Sequence, residues 1–267
     1  MDNRPIGVFD SGVGGLTVVR ELMKNLPNEQ LVYFADTLRF PYGSKKKSDI
    51  IEYSRQIVKF LLTKNVKAIV IACNTICCNS YEELCSEFDM TFIDLLSPTA
   101  SVFTSNGSSR SFGIIATEAT ISSGVYERFV KKSNPLINVY SKACPLFAPL
   151  VEEGWYDNEV AELTAKIYLS ELMHKNIDTL ILGCTHYPIL TKCIQKVCRG
   201  VNIIDPAQYS VHELSKIITE TEALREDPMR PHHEFFVSSN SNNFDKSYEN
   251  IMGTSVSSSQ VDIEAYR

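Results

Sequence analysis

With 267 residues the chain exceeds the roughly 150 typical of one domain, and 44% hydrophobic with 22% charged residues is the balance of a folded globule, not of a disordered or fibrous chain. A formal charge of -6 offers no basic stripe for nucleic acid; the local exception, Lys45-Lys46-Lys47, reads as a solvated helix start. The opening "MDNRPIGVFDSG" lacks the apolar core of a signal peptide and no stretch approaches membrane-spanning length, so a soluble cytoplasmic protein is expected, with its eight cysteines as thiols.

Short apolar runs recur between amphipathic segments: "IGVFD", "LVYFAD", "AIVIACN" and "TFIDLL", then "SFGIIAT", "INVYSKAC", "TLILGCT" and "VNIIDPA". Strands alternating with helical patterns predict parallel sheets with helical crossovers. Residues 48 to 64 set Ile51, Ser54, Ile57, Val58, Leu61 and Leu62 along one helix flank, and a later helix is expected from Pro188 to about Gly200. The eight strands form two sets of four in matching order. Gly7 and Gly113 open the first strands 106 residues apart, while Cys73 and Cys184, like Asp94 and Asp205, end corresponding strands 111 apart. An internal repeat follows. The expected fold is α/β, with two similar open, mostly parallel-sheet domains related by a pseudo-twofold and a site in the cleft between them. Residues 1–97 plus 208–267 would make the first domain and 98–207 the second. "EFFV" in the last segment should complete one of the two, and the Ser/Asn-rich patch at 238–243 reads as a loop.

Ligands of open α/β sheets bind outside the carboxyl ends of the strands. The polar clusters fall there: Asp10 and Ser11, Asp36, Cys73 to Thr75, Thr117 and Thr120, and Cys184 to His186. Facing halves would put one cysteine on each wall of a cleft. A thiol titrates near 8.5, close enough to neutrality for one to act as base while its partner stays protonated and donates. Such a pair could remove a proton from one face of a carbon and return one to the other. Buried free cysteine is more often a small hydrophobe, and that reading serves Cys77, Cys78, Cys85, Cys193 and Cys198, which fall in predicted helices. Cys73 and Cys184 differ in their shared strand-end position and in the polar residues after each, Asn74-Thr75 and Thr185-His186.

Other chemistries fit less well. Cys73 and Cys77 lie four apart, but paired C-x2-C knuckles are absent, so no metal is expected. "FDSGVGGLT" fails the dinucleotide fingerprint because Thr17 stands where the third glycine belongs, and Asp10 would repel a pyrophosphate. That loop suits an amino group or a carboxylate. No G-x-S-x-G elbow occurs, and no lysine stands out for a Schiff base, so no cofactor is expected. Asp10 and His186 read equally as proton partners of a thiol or as a helix cap and a structural histidine; Glu152 reads as a site carboxylate or as plain surface.

Together "GVFDSGVGGLTV" (7–18), "PYG" (41–43), "ACNT" (72–75), "TEATISSGVY" (117–126), "ACPLFAPLVEEG" (143–154) and "LILGCTHYP" (180–188) resemble the motifs of glutamate racemases, within the cofactor-independent aspartate/glutamate racemase superfamily. The resemblance covers nearly the whole chain. It implies that Cys73 acts on D-glutamate and Cys184 on L-glutamate as the two bases, assisted by Asp10, His186 and Glu152. It also implies that Asp10, Ser11, Tyr42, Gly43, Asn74, Thr75, Thr117, Thr120, Thr185 and His186 hold the amino acid. Further implications are a D-glutamate supply for peptidoglycan synthesis and a homodimer. The alternatives are an aspartate racemase, one substrate methylene away, or a partner-binding regulator without turnover. Leu38 and Phe40 are bulkier than the family's loop leads one to expect, which puts local packing there in question. Some relatives carry an N-terminal extension used by a peptidoglycan-precursor activator; this chain begins almost at its first strand, so such activation is not expected.

Overall fold

The computed structural model describes residues 1–100, 102 and 111–267. Among them are two parallel sheets. The first combines β1 (Ile6–Asp10), β2 (Leu31–Ala35), β3 (Ala68–Ile71) and β4 (Phe92–Ile93) with β9 (Glu234–Val237) and β10 (Ser259–Gln260), in the order β10-β9-β2-β1-β3-β4. The second has β5 (Ser111–Ala116), β6 (Asn138–Ala143), β7 (Thr179–Gly183) and β8 (Asn202–Ile204), in the order β6-β5-β7-β8. The repeat expected from spacing is therefore visible as topology. β1 lies between β2 and β3 as β5 lies between β6 and β7, and Gly7 pairs with Val32 and Ile69 as Gly113 pairs with Tyr140 and Leu180.

The sets are unequal in one respect: "EFFV" becomes β9, which together with β10 extends the first sheet beyond β2. β1, β2 and β3 are buried along their length, as strands covered on both faces must be, and they read as continuous apolar runs. In the second sheet side chains alternate faces. Ile115, Leu180 and Leu182 pack on one side with the helices Phe147–Glu152, Glu159–Met173 and Thr191–Val197; Phe112, Ile114 and Ile181 pack on the other, against Tyr126 and Val130.

Several helical expectations need correction. The helix Lys47–Thr63 starts within the lysine run, but it buries Phe60 and leaves Leu62 38% exposed, since a 3.6-residue period carries position 62 past the edge of the stripe. Pro188 does not open an α-helix; it lies in the 3-10 turn Tyr187–Leu190, and the α-helix runs Thr191–Val197. The patch at 238–243 is not all loop. Asn240 takes a left-handed conformation (φ 55°) and the helix Ser241–Met252 starts immediately after it. The helix Pro206–Glu220, capped by the Asp205 side chain accepting from the Ala207 N–H, buries Ala207, Val211, Leu214 and Ile218 in the core of the first sheet.

Because every strand is parallel, the carboxyl ends of each sheet lie along one edge. β1 ends in Asp10, β3 leads to Cys73, β5 to Thr117 and β7 to Cys184. No helix among the described residues is long and apolar enough to cross a membrane.

Candidate active site

The first wall is built from the ends of β1 and β3. Asp10 is fully buried, and its Oδ2 accepts the Gly15 N–H at 2.7 Å, tying the carboxylate to the loop that leads into the helix Leu16–Asn25. The Ser11 hydroxyl donates to Asp10 Oδ1 at 3.4 Å and lies 3.6 Å from Cys73 Sγ. Cys73 is the N-cap residue of the helix Asn74–Glu87. Burial, and then the Asp10 carboxylate, push its thiol well above the ordinary range, against the opposing pull of the Ile76 N–H. Burial likewise raises the Asp10 carboxyl, partly offset by the charge of His186 and by the contact with Cys73. This wall favours a protonated sulfur.

The second wall follows β7. Cys184 Sγ lies 3.7 Å from His186 Nδ1, and His186 Nε2 lies 2.8 Å from Glu152 Oε1. That same carboxylate oxygen accepts the Val13 N–H at 3.2 Å, so it touches both halves of the molecule. Burial alone would push the imidazole down, but its contacts with Cys184 and Glu152 outweigh burial and hold it well above the usual histidine range. His186 is thus held as a cation beside a sulfur. Gly14 makes that fit possible: a Cβ there would lie 2.4 Å from His186 Nδ1 and 2.7 Å from Thr185 Oγ1.

A threonine cluster and a turn complete the enclosure. The Thr75, Thr117 and Thr120 hydroxyls lie 2.9, 3.0 and 3.3 Å apart, joining the ends of the two sheets. Asn74 Oδ1 accepts the Tyr126 hydroxyl at 2.5 Å. Phe40 packs 5.7 Å from the His186 ring and, with Pro41, Tyr42 and Gly43, lines the same cavity, while Leu38 turns outward at 55% exposure. The bulk that stood out in the sequence is therefore a cavity wall at one position and surface at the other.

One cavity of about 70 Å³ receives both cysteines. Of the residues singled out in the sequence, Ser11, Tyr42, Gly43, Asn74, Thr75, Thr117, Thr185 and His186 line it as well. Asp10, Thr120 and Glu152 stand behind it, each bonded to a lining residue or beside one. Sequence reasoning missed Tyr126 and Thr17. The Thr17 hydroxyl is 2.9 Å from the Gly14 carbonyl and 3.0 Å from the Thr185 carbonyl, bracing the loop after β1 against the loop after β7. Its one visible signal was the departure from the glycine fingerprint. Cys77, read from the sequence as a small hydrophobe in a helix, also donates to the Ile71 carbonyl at 3.3 Å and accepts the Leu95 N–H at 3.4 Å, a structural bond away from the cavity. Among the described residues no group of three His, Cys, Asp or Glu side chains could hold a metal ion.

Residues 6–214 match the family model Asp/Glu/Hydantoin racemase. The chain is 42% identical over 271 residues to a glutamate racemase of Thermoanaerobacter pseudethanolicus, covering 100% of both. Its fold is similar to the crystal structure of glutamate racemase from Francisella tularensis in complex with D-glutamate, at 40% identity and a TM-score of 0.93 over 100% of both chains. An aspartate racemase of Picrophilus torridus, at 19% identity and a TM-score of 0.61, covering 83% of this chain and 99% of its own, is alike in fold alone.

Proposed function

The chain belongs to the Asp/Glu/hydantoin racemase family, and on that premise we propose that it interconverts L- and D-glutamate by moving one proton off the α-carbon and another onto its opposite face. The observation that carries this is the single cavity lined by Cys73 from the first sheet and Cys184 from the second.

The two surroundings support different resting roles for the sulfurs. The thiol of Cys73, raised by burial and by Asp10, waits as donor, while Cys184, 3.7 Å from the His186 imidazolium, is the sulfur that receives a proton. With L-glutamate bound, Cys184 takes the α-proton and Cys73 delivers its own to the other face. The enzyme is left with a Cys73 thiolate and a Cys184 thiol, the form that accepts D-glutamate. Asp10 and His186 hold protons beside the two sulfurs and serve the return. The α-carbon is a very weak acid, so the developing negative charge needs donors already in place and little water. The hydroxyls of Ser11, Thr75, Thr117 and Thr185, in a cavity shut by Phe40 and the Tyr42–Gly43 turn, supply both and hold the carboxylates and ammonium.

We assign one lobe to each sheet, residues 1–97 with 208–267 and residues 98–207, a boundary that falls within the helix Pro206–Glu220, whose Ala207 packs into the first core. The protein works in the cytoplasm as a supplier of D-glutamate for the cell wall. It acts as a homodimer, with the exposed row Val160, Leu163 and Ile167 on the helix Glu159–Met173 available to a second copy.

Proton NMR in deuterium oxide, with chiral analysis of the product and no added cofactor, tests the reaction. Loss of the α-proton signal of L-glutamate with appearance of D-glutamate is expected. Exchange with aspartate instead would move the specificity, and no exchange with either from folded, reduced protein would overturn the reading.

A further inference from the structure

Behind the Tyr42–Gly43 turn lies a buried charged cluster that touches neither sulfur. Asp36 follows β2 and is fully buried. Its carboxylate accepts the Tyr42 hydroxyl at 2.5 Å, Arg39 Nη1 at 3.0 Å and the Ser238 hydroxyl at 2.7 Å. Arg39, 8% exposed, also donates to Gln56 Oε1 at 2.5 Å, lies 4.3 Å over the Tyr53 ring and pairs with Glu264. Glu264 belongs to the 3-10 turn Ile263–Tyr266, which is fixed on the helix Lys47–Thr63 by Tyr266, its ring 5.5 Å from Phe60 at 87°.

Burying an ion pair is poorly repaid in stability compared with an apolar core, so a cluster with this many bonds to Asp36 and Arg39 is better explained by the geometry it fixes. Here that geometry is the turn. Tyr42 is pinned through its hydroxyl, which burial and Asp36 keep protonated as a donor. One residue on, Gly43 lies so close to the second sheet that a Cβ would meet Thr117 Cβ at 2.7 Å. The turn thereby closes the cavity between the end of the first sheet and the threonine cluster. We propose that Asp36 and Arg39, anchored by Glu264, are positioning residues that hold the Tyr42–Gly43 turn in its substrate-binding place, so that a contact made by residue 264 sets how firmly the amino acid is held.

This inference rests on the racemase reading for its kinetic consequence but not for its structural one, and the test separates them. Arg39→Met, Arg39→Lys and Glu264→Gln in the full chain are compared by KM and kcat in both directions and by amide hydrogen exchange of residues 40–45 without ligand. Arg39→Met is expected to raise KM for both enantiomers by about tenfold, with kcat within about threefold of the native value, because ground and transition states lose the same support. Exchange at 40–45 should quicken, Arg39→Lys should recover part of both effects, and Glu264→Gln should show the same pattern at about two- to threefold. A folded Arg39→Met protein with native KM and native exchange overturns the proposal, as does a fall in kcat at unchanged KM. If Arg39→Met does not fold, Glu264→Gln decides, since Glu264 is 37% exposed and its loss leaves the core intact. If the native protein fails to racemise glutamate, the functional reading falls and exchange at 40–45 alone decides the positioning claim.

Discussion

The wall that follows β3 and the wall that follows β7 present a thiol at the same strand end but surround it with opposite chemistry. Cys73 has a buried carboxylate and a serine hydroxyl beside it, whereas Cys184 has an imidazole whose far nitrogen is tied to Glu152. A reaction that moves one proton in and one out needs one sulfur protonated and the other not, and unlike neighbours give each singly protonated form its own partner groups. The repeat supplies a symmetric frame; the residues next to each sulfur make the two walls chemically unlike.

The largest effect should come from removing either sulfur. Cys73→Ser and Cys184→Ser are each expected to lower racemisation by on the order of 10³-fold or more, because a serine hydroxyl neither ionises near neutral pH nor completes the relay. Chiral product analysis checks this, and native turnover in either variant would break the two-wall picture.

Gly14→Ala probes the second wall alone. With the new Cβ directed at His186 Nδ1, the ring must shift, and about a 10²-fold loss of kcat is expected from a displacement of that kind. Circular dichroism should show the fold intact.

Glu152→Gln sharpens the electrostatic half of the comparison. Burial lowers the His186 pKa while Cys184 and Glu152 together raise it well above the ordinary value of about 6.5, so the imidazolium and its contribution to stability are present below that value and are lost only as pH rises through the higher, folded one. Removing the carboxylate takes away one raising contribution. The alkaline limb of the kcat profile for L-glutamate should move to lower pH, with about a tenfold lower kcat at mildly alkaline pH. An unmoved limb would show that Glu152 does not control the imidazole.

Thr17→Val should have the smallest effect. It deletes one shared hydroxyl bond between the loop after β1 and the Thr185 carbonyl, worth about 1 kcal/mol, and the midpoint of denaturant unfolding reads it. A greater loss would mean that the two walls depend on that brace for more than stability.

Much of this site was legible before any coordinates. Strand ends are written as apolar runs that stop at polar residues, so "ACNT" and "GCTH" located both sulfurs, and the spacing of Cys73 and Cys184 revealed the repeat. The motif resemblance added Tyr42 and Gly43 and gave Glu152 a place in the site, where local pattern left it equally a surface residue. Unreadable were the contacts made across long chain separations: Glu152 to Val13, Thr17 to Thr185 and Arg39 to Glu264. None lies within a helical turn or a strand repeat of its partner, so no periodicity records them.

By itself, then, the sequence determined the succession of strands along each repeat and the residue types at the strand ends, because burial period and turn chemistry are local properties. What surrounds each sulfur was decided only by tertiary structure. Cys73 and Cys184 are the same side chain, equally buried at the same strand end, and the difference between them comes from the charged groups that folding brings within a few ångströms.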